Sequence, residues 1–311
     1  MNHIKYNFHP DLKNYENQNM PVIPFVIPFL QKLMGILYRR EKSDIDVTVS
    51  QLTIPAKDGC NLRALMYTPI NANKTTPCLL FFHGGGFVYN AAPHHFSLAR
   101  NMSKELGWKT ILLDYRLAPK YKYPTAPEDC FRTYHWILHN ADSLNINPTQ
   151  IAVCGDSAGG NLATVLCLMA RDRGIQMPMA QMLLYPVIDR RMETHSYQKY
   201  TNTPMCNSKD MKKYFDMYVN NNSPVDIKYL SPIESDSLIG LPPAYVETAE
   251  YDCLHDEGIS YAEAMQNAGV YVEIHETQNT MHGYDIAINS NLVKDLINQR
   301  VAFLQKFINI E

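Results

Sequence analysis

Residues 151–162 read IAVCGDSAGGNL: strand-forming residues stop at Gly155, Ser157 sits between small neighbours, and a helix-like run follows. A strand that turns straight into a helix brings two backbones together. Gly155 and Gly159 remove the Cβ atoms that would collide there, and Ala158 and Gly160 keep the corner small. The serine at the apex is driven into a strained conformation, with its hydroxyl clear of the sheet and beside a helix N-terminus that favours negative charge. A glycine-rich turn with an idle serine has the same G-x-S-x-G pattern, so the motif needs company. HGGG at 83–86, closing the run CLLFF, provides it. Three consecutive glycines cost backbone entropy. Acyl transfer supplies a reason, because its tetrahedral oxyanion needs backbone N–H donors at about 3 Å, and only a loop without side chains brings them that near. The phosphate-cradling patterns G-x-x-x-x-G-K-[ST] and G-x-G-x-x-G are absent.

A serine hydroxyl is a poor nucleophile without an imidazole to take its proton and a carboxylate to orient that imidazole. The elbow resembles that of the α/β-hydrolases, and in their chain order the acid and then the histidine follow the serine. Four histidines follow Ser157: His195, His255, His275 and His282. His282, in NTMHGYD after the last strand-like run, has the position a base requires. His195 falls in an irregular segment, His255 in a polar link and His275 inside a strand. Asp252 lies just past the strand-like AYVETAE and is favoured as the acid. Asp256, its rival, reads better as the N-cap of the next helix.

The elements that must hold these residues form a regular rhythm. Strand-like runs fall at 47–54, 62–68, 78–83, 110–115, 151–155, 180–185, 244–250 and 270–276. The first two read as a hairpin turning at Asp58-Gly59. Helix-like stretches at 95–106, 126–140, 158–173, 257–268 and 291–308 alternate with the later strands, which predicts a mostly parallel sheet of eight strands with helices on both faces. Residues 1–45 and 188–230 break the rhythm. They are expected to form a cap over a core made of 46–187 and 231–311.

Composition narrows the function. Of 311 residues, 46% are hydrophobic and 19% charged, and the net charge is −3. A large core is affordable, disorder is not expected, and no basic surplus points to nucleic acid. The seven cysteines contain no C-x-x-C pair and suit a reducing compartment. The first twenty residues lack signal-peptide shape, so the cytoplasm is the expected location. PVIPFVIPFLQKLMGILYRR (21–40) is more apolar, but its three prolines, Gln31 and Lys32 argue against a membrane span. A helix over about 24–38 lying on the rest of the protein is expected.

HGGGF (83–87), DYRLAP (114–119), GDSAGGNLA (155–163), TAEYD (248–252) with DEG (256–258), and HGY (282–284) resemble the hormone-sensitive-lipase-like esterases, in particular bacterial acetyl esterases. The match runs in order over about residues 50–305. It implies an α/β-hydrolase fold with a small helical cap, Ser157 as nucleophile, Asp252 as acid and His282 as base. It also implies an oxyanion hole from the N–H groups of Gly85, Gly86 and Ala158, with His83 and Gly84 shaping the loop. No cofactor or metal is implied, the expected partner is a small-molecule ester, and the family's frequent dimers allow a homodimer. Two positions depart from the family: Cys253 replaces the usual proline after the acid, and Lys120 the usual glutamate after DYRLAP. An amidase, lactonase or sugar deacetylase uses the same parts, and a ligand-binding receptor of this fold lacks the histidine. Elsewhere, Asp114 and Arg116 are expected to form a structural ion pair, Asp156 to make local hydrogen bonds, and His94-His95 not to bind a metal.

Overall fold

The strand-like runs, in which β-branched and aromatic residues recur, assemble into a single sheet. The computed structural model describes residues 6–20, 22–56, 58–72, 74–219 and 226–308, so residues 1–5, 21 and 220–225 of the two segments expected to form a cap lie outside the described residues. The strands are β1 (Val47–Pro55), β2 (Asn61–Pro69), β3 (Thr76–Phe82), β4 (Lys109–Asp114), β5 (Ile146–Asp156), β6 (Gln181–Leu184), β7 (Ala244–Tyr251) and β8 (Val272–Met281). Their order in the sheet is β1-β2-β4-β3-β5-β6-β7-β8. β1 and β2 form the hairpin, with Pro55 opposite Asn61 and Gly59 at φ 81° in the turn. β2 also pairs antiparallel with β4, and the remaining pairings are parallel.

Side chains alternate across the sheet, so each central strand feeds two cores. Leu80, Phe82 and Val153 pack with α3 (Thr125–His139), α5 (Ala158–Asp172) and α8 (His255–Asn267). Leu79, Phe81 and Ala152 pack on the opposite face with α2 (Pro93–Leu106) and α9 (Asn291–Gln305). Burial on both faces explains why β3 is a nearly unbroken apolar run. The other helices are α1 (Ile27–Arg40), α4 (Ala141–Leu144), α6 (His195–Lys199) and α7 (Ser208–Tyr218). No helix among the described residues is long and apolar enough to cross a membrane.

Two expectations are corrected. Asp256 is not an N-cap: α8 already begins at His255, because the His255 N–H donates to the Asp252 carbonyl and closes the turn earlier. The Asp256 carboxylate instead accepts from the Ser196 N–H at 2.8 Å. Asp114 and Arg116 do not pair with each other. Asp114 lies opposite Arg63 in the β2–β4 register and bonds to it, while Arg116 reaches Asp129 at 2.6 Å and also Asp58. The segment after β6 also holds more regular structure than its composition suggests. In α7, Met211, Tyr214, Phe215 and Tyr218 form a buried helical stripe, opened by Asn207, whose side chain accepts from the Asp210 N–H.

Candidate active site

Ser157 occupies the corner between β5 and α5 at φ 54°, ψ −118°. A Cβ on Gly155 would lie 2.1 Å from the Gly159 carbonyl oxygen, and one on Gly159 would lie 1.9 Å from that of Phe82. Glycine is therefore required on both sides of the serine. The Ser157 N–H donates to the Leu184 carbonyl at 2.8 Å, which ties the corner to β6.

His282 directly follows β8, which runs to Met281, five residues beyond the end its apolar pattern suggests. Its Nε2 lies 2.9 Å from Ser157 Oγ and its Nδ1 lies 2.7 Å from Asp252 Oδ2. The second Asp252 oxygen accepts from the Leu254 N–H at 3.0 Å, which locks the carboxylate at the turn leaving β7. Burial alone would lower the His282 pKa, but the Asp252 carboxylate beside it outweighs burial and the value is pushed up to about 9. The structure thus brings Ser157, His282 and Asp252 into one hydrogen-bonded line. The other three histidines after Ser157 lie elsewhere: His195 starts α6, His255 pairs with Asp256 and Glu276, and His275 of β8 stacks on Tyr245 of β7.

The loop 83–86 faces Ser157 from the end of β3. His83 is fully buried, and burial pushes its pKa down to about 3. Its Nδ1 donates to the Gly84 carbonyl at 2.8 Å, its ring stacks on Tyr115 at 4.4 Å, and the Tyr115 hydroxyl donates to its carbonyl at 2.7 Å. Asp156 Oδ1 accepts the Gly84 N–H at 2.8 Å. Its Oδ2 is 3.1 Å from His95 Nε2, and the Ala92 N–H donates to His95 Nδ1, so Nε2 carries the hydrogen that Asp156 accepts. Among the described residues the N–H groups of Gly85, Gly86 and Ala158 have no internal acceptor.

Some supporting residues went unseen in the sequence. Beneath His282, the ring of Tyr185 packs edge-on at 5.0 Å, and its hydroxyl donates to Asp285 at 2.8 Å. Asp285 and Glu247 share Arg300, and all three are buried. Glu257, also buried, accepts from the Ile188 and Asp189 N–H groups and anchors the chain leaving β6. No local motif links Glu247, Asp285 and Arg300; a basic residue on the apolar face of the last helix was the one available signal. Among the described residues no group of three His, Cys, Asp or Glu side chains is arranged to hold a metal.

Ser157 and His282 open into a cavity of about 760 Å³. Its walls include Gln18 and Met34 from the N-terminal segment, Met205 and Tyr214 from the segment after β6, and Gly85 and Gly86 from the loop. A cavity of that size with apolar walls and a few convergent polar groups suits a small ligand.

Residues 79–286 match the family described as alpha/beta hydrolase fold. The carboxylic ester hydrolase LipN of Mycobacterium tuberculosis is 36% identical over 247 residues, which cover 77% of this chain and 65% of LipN. This chain thus spans slightly under two thirds of that relative's length. The ethyl acetate hydrolase of Pseudomonas putida is 30% identical, with 78% of this chain and 77% of the relative covered. Among solved structures, a bacterial heroin esterase superposes with a TM-score of 0.87 at 30% identity, covering 97% of this chain and 98% of its own. Fold and sequence agree with the resemblance to the hormone-sensitive-lipase-like esterases: the chain belongs to the α/β-hydrolase family, among relatives that are carboxylic ester hydrolases.

Proposed function

We propose that this protein is a serine carboxylesterase that hydrolyses short- to medium-chain acyl esters through an acyl-enzyme. The observation that carries this reading is the hydrogen-bonded line Ser157–His282–Asp252 at a cavity wall. Asp252 accepts from His282 Nδ1, which leaves the Nε2 lone pair for the Ser157 proton. Ser157 Oγ attacks the ester carbonyl as that proton moves to Nε2. The N–H groups of Gly85, Gly86 and Ala158 hold the resulting oxyanion, on a loop shaped by His83 and Gly84. His282 then returns its proton to the departing alcohol. A water gives a proton to His282, attacks the acyl carbonyl and releases Ser157 with that proton. Loss of one oxyanion donor costs about 3–4 kcal/mol.

In this reading residues 1–45 and 188–230 form the cap over the core of 46–187 and 231–311, supported by their contributions to the cavity wall. Relatives named for ethyl acetate and heroin support a small ester as substrate. Hydrolysis of p-nitrophenyl esters from C2 to C12 tests the proposal, with Ser157→Ala and His282→Ala alongside. Turnover of the shorter esters, lost in both variants, is expected. Inertness of the wild type over the whole series, or faster turnover of C12 than C4, contradicts it.

A further inference from the structure

Helix α1 has two apolar faces. The inner one fixes how the helix is rolled on the protein: Ile27 and Tyr38 are buried, the Tyr38 hydroxyl donates to the Leu112 carbonyl, and Gln31 donates to the carbonyls of Val88 and Ala118 at 2.7 Å each. The outer face therefore has a defined composition. Phe25 just before the helix is 85% exposed, and Phe29 69%, Leu33 54%, Leu37 42% and Ile36 40% within it. Positions 25, 29, 33 and 37 recur every fourth residue and form one stripe. With Ile23, this stretch holds six of the ten large hydrophobic residues exposed among the described residues, and the other four are scattered. Single exposed apolar residues are ordinary, whereas a contiguous stripe marks an interaction surface.

Charge identifies what the stripe meets. Residues 21–40 contain Lys32, Arg39 and Arg40 and no acidic residue, and all three cations are exposed. The first acids beyond the helix, Glu41 and Asp44, are both taken up by Arg100. A two-fold contact centred on the stripe would bring the two copies' Lys32 side chains together, with no acidic residue in 21–40 of either copy to offset them. An apolar stripe rimmed by cations suits the boundary between anionic headgroups and acyl chains. At 14 residues the helix is about 21 Å long, short of the ~30 Å hydrocarbon core, so it would lie along that boundary. Met34 of the same helix lines the cavity that contains Ser157.

We propose that the outer face of α1 docks this protein onto an anionic lipid surface. Phe25, Phe29, Leu33 and Leu37 enter the acyl boundary, and Lys32, Arg39 and Arg40 meet headgroup phosphates. The surface is separate from the catalytic residues, and the inference does not depend on the esterase reading.

Co-sedimentation of the full chain with vesicles tests it, using phosphatidylcholine alone and an equal mixture of phosphatidylcholine and phosphatidylglycerol. Binding to the mixed vesicles is expected, at least about 10-fold tighter than to phosphatidylcholine alone. Phe29→Glu with Leu33→Glu should abolish it, and Lys32→Glu with Arg40→Glu should weaken it about 10–100-fold. An unchanged circular-dichroism melt for each variant shows folding without reference to activity. No sedimentation of the wild type with either vesicle, or binding of both folded variants like the wild type, overturns the proposal. So does a wild-type dimer in analytical ultracentrifugation that Phe29→Glu with Leu33→Glu dissociates, in the absence of vesicle binding.

Discussion

Two buried histidine–aspartate pairs flank Ser157, and they differ in where the second imidazole nitrogen points. In His282–Asp252, Nδ1 faces the carboxylate and Nε2 reaches the Ser157 hydroxyl at 2.9 Å. In His95–Asp156, Nε2 faces the carboxylate and Nδ1 is occupied by the Ala92 N–H at 2.8 Å. In the proposed mechanism the first pair keeps a basic lone pair open to the serine proton. The second is closed at both ends, and its carboxylate instead anchors Gly84 of the HGGG loop. The same two residue types thus bring an imidazole nitrogen to the serine on one side and brace a loop on the other, and hydrogen-bond topology decides which.

The comparison breaks most visibly in turnover. Ser157→Ala and His282→Ala should each lower kcat by about 10⁴–10⁶-fold. Asp252→Asn, which favours the wrong imidazole tautomer, should cost about 10⁴-fold. On the bracing side Asp156→Asn should cost only about 10–100-fold, since it loosens one loop anchor and removes no proton acceptor. Steady-state kinetics on p-nitrophenyl acetate measures all four. Equal losses for Asp156→Asn and Asp252→Asn would erase the distinction.

The pairs should also respond to pH in opposite directions. The folded-state pKa of His282 is raised from 6.5 to about 9, so its stabilising contribution is complete below pH 6.5 and is lost as pH rises through about 9. Burial would raise the Asp156 pKa, but the surrounding histidines, His95 foremost, hold it down at about 2 instead of 3.8. Its contribution is present above pH 3.8 and is lost as pH falls through about 2. Denaturant titrations across pH should show His282→Ala flattening the alkaline limb and Asp156→Asn the acid limb. By the same reasoning, kcat/KM should rise with pH as His282 becomes neutral, and Asp252→Asn should move that rise to lower pH.

The smallest catalytic effect belongs to the support beneath His282. Tyr185→Phe keeps the ring against the imidazole and removes the hydroxyl that Asp285 accepts. It should leave kcat within about 10-fold yet destabilise the fold by about 1–3 kcal/mol, read by urea denaturation.

The positions of the elbow, the HGGG loop and Asp252 at strand ends were legible in the sequence, because turn residues and the end of an apolar run mark those boundaries, whereas His282 was placed after the last strand although β8 runs five residues past the end its apolar pattern suggests. The eight strands were legible for the same reason, down to the hairpin turn at Gly59. What sequence could not supply were pairings set by neighbours distant in the chain. Asp114 chose Arg63 through strand register, and Arg300 met Glu247 and Asp285 through packing of the last helix on the sheet. α7 was obscured by Asn- and Lys-rich surroundings, although its apolar spacing is helical. The roll of α1 was likewise out of reach, because Gln31 fixes it through carbonyls 57 and 87 residues away.

In the proposed mechanism Ser157 Oγ is the atom acylated, and His282–Asp252, not His95–Asp156, moves the proton. Mass spectrometry of enzyme acid-quenched during p-nitrophenyl acetate turnover tests it most directly. The predicted result is one acetyl group on the peptide bearing Ser157. It should form fast in wild type, somewhat slower in Asp156→Asn, far slower in Asp252→Asn, and not at all in Ser157→Ala. An acetyl group on another residue, or turnover that persists in Ser157→Ala, would contradict it.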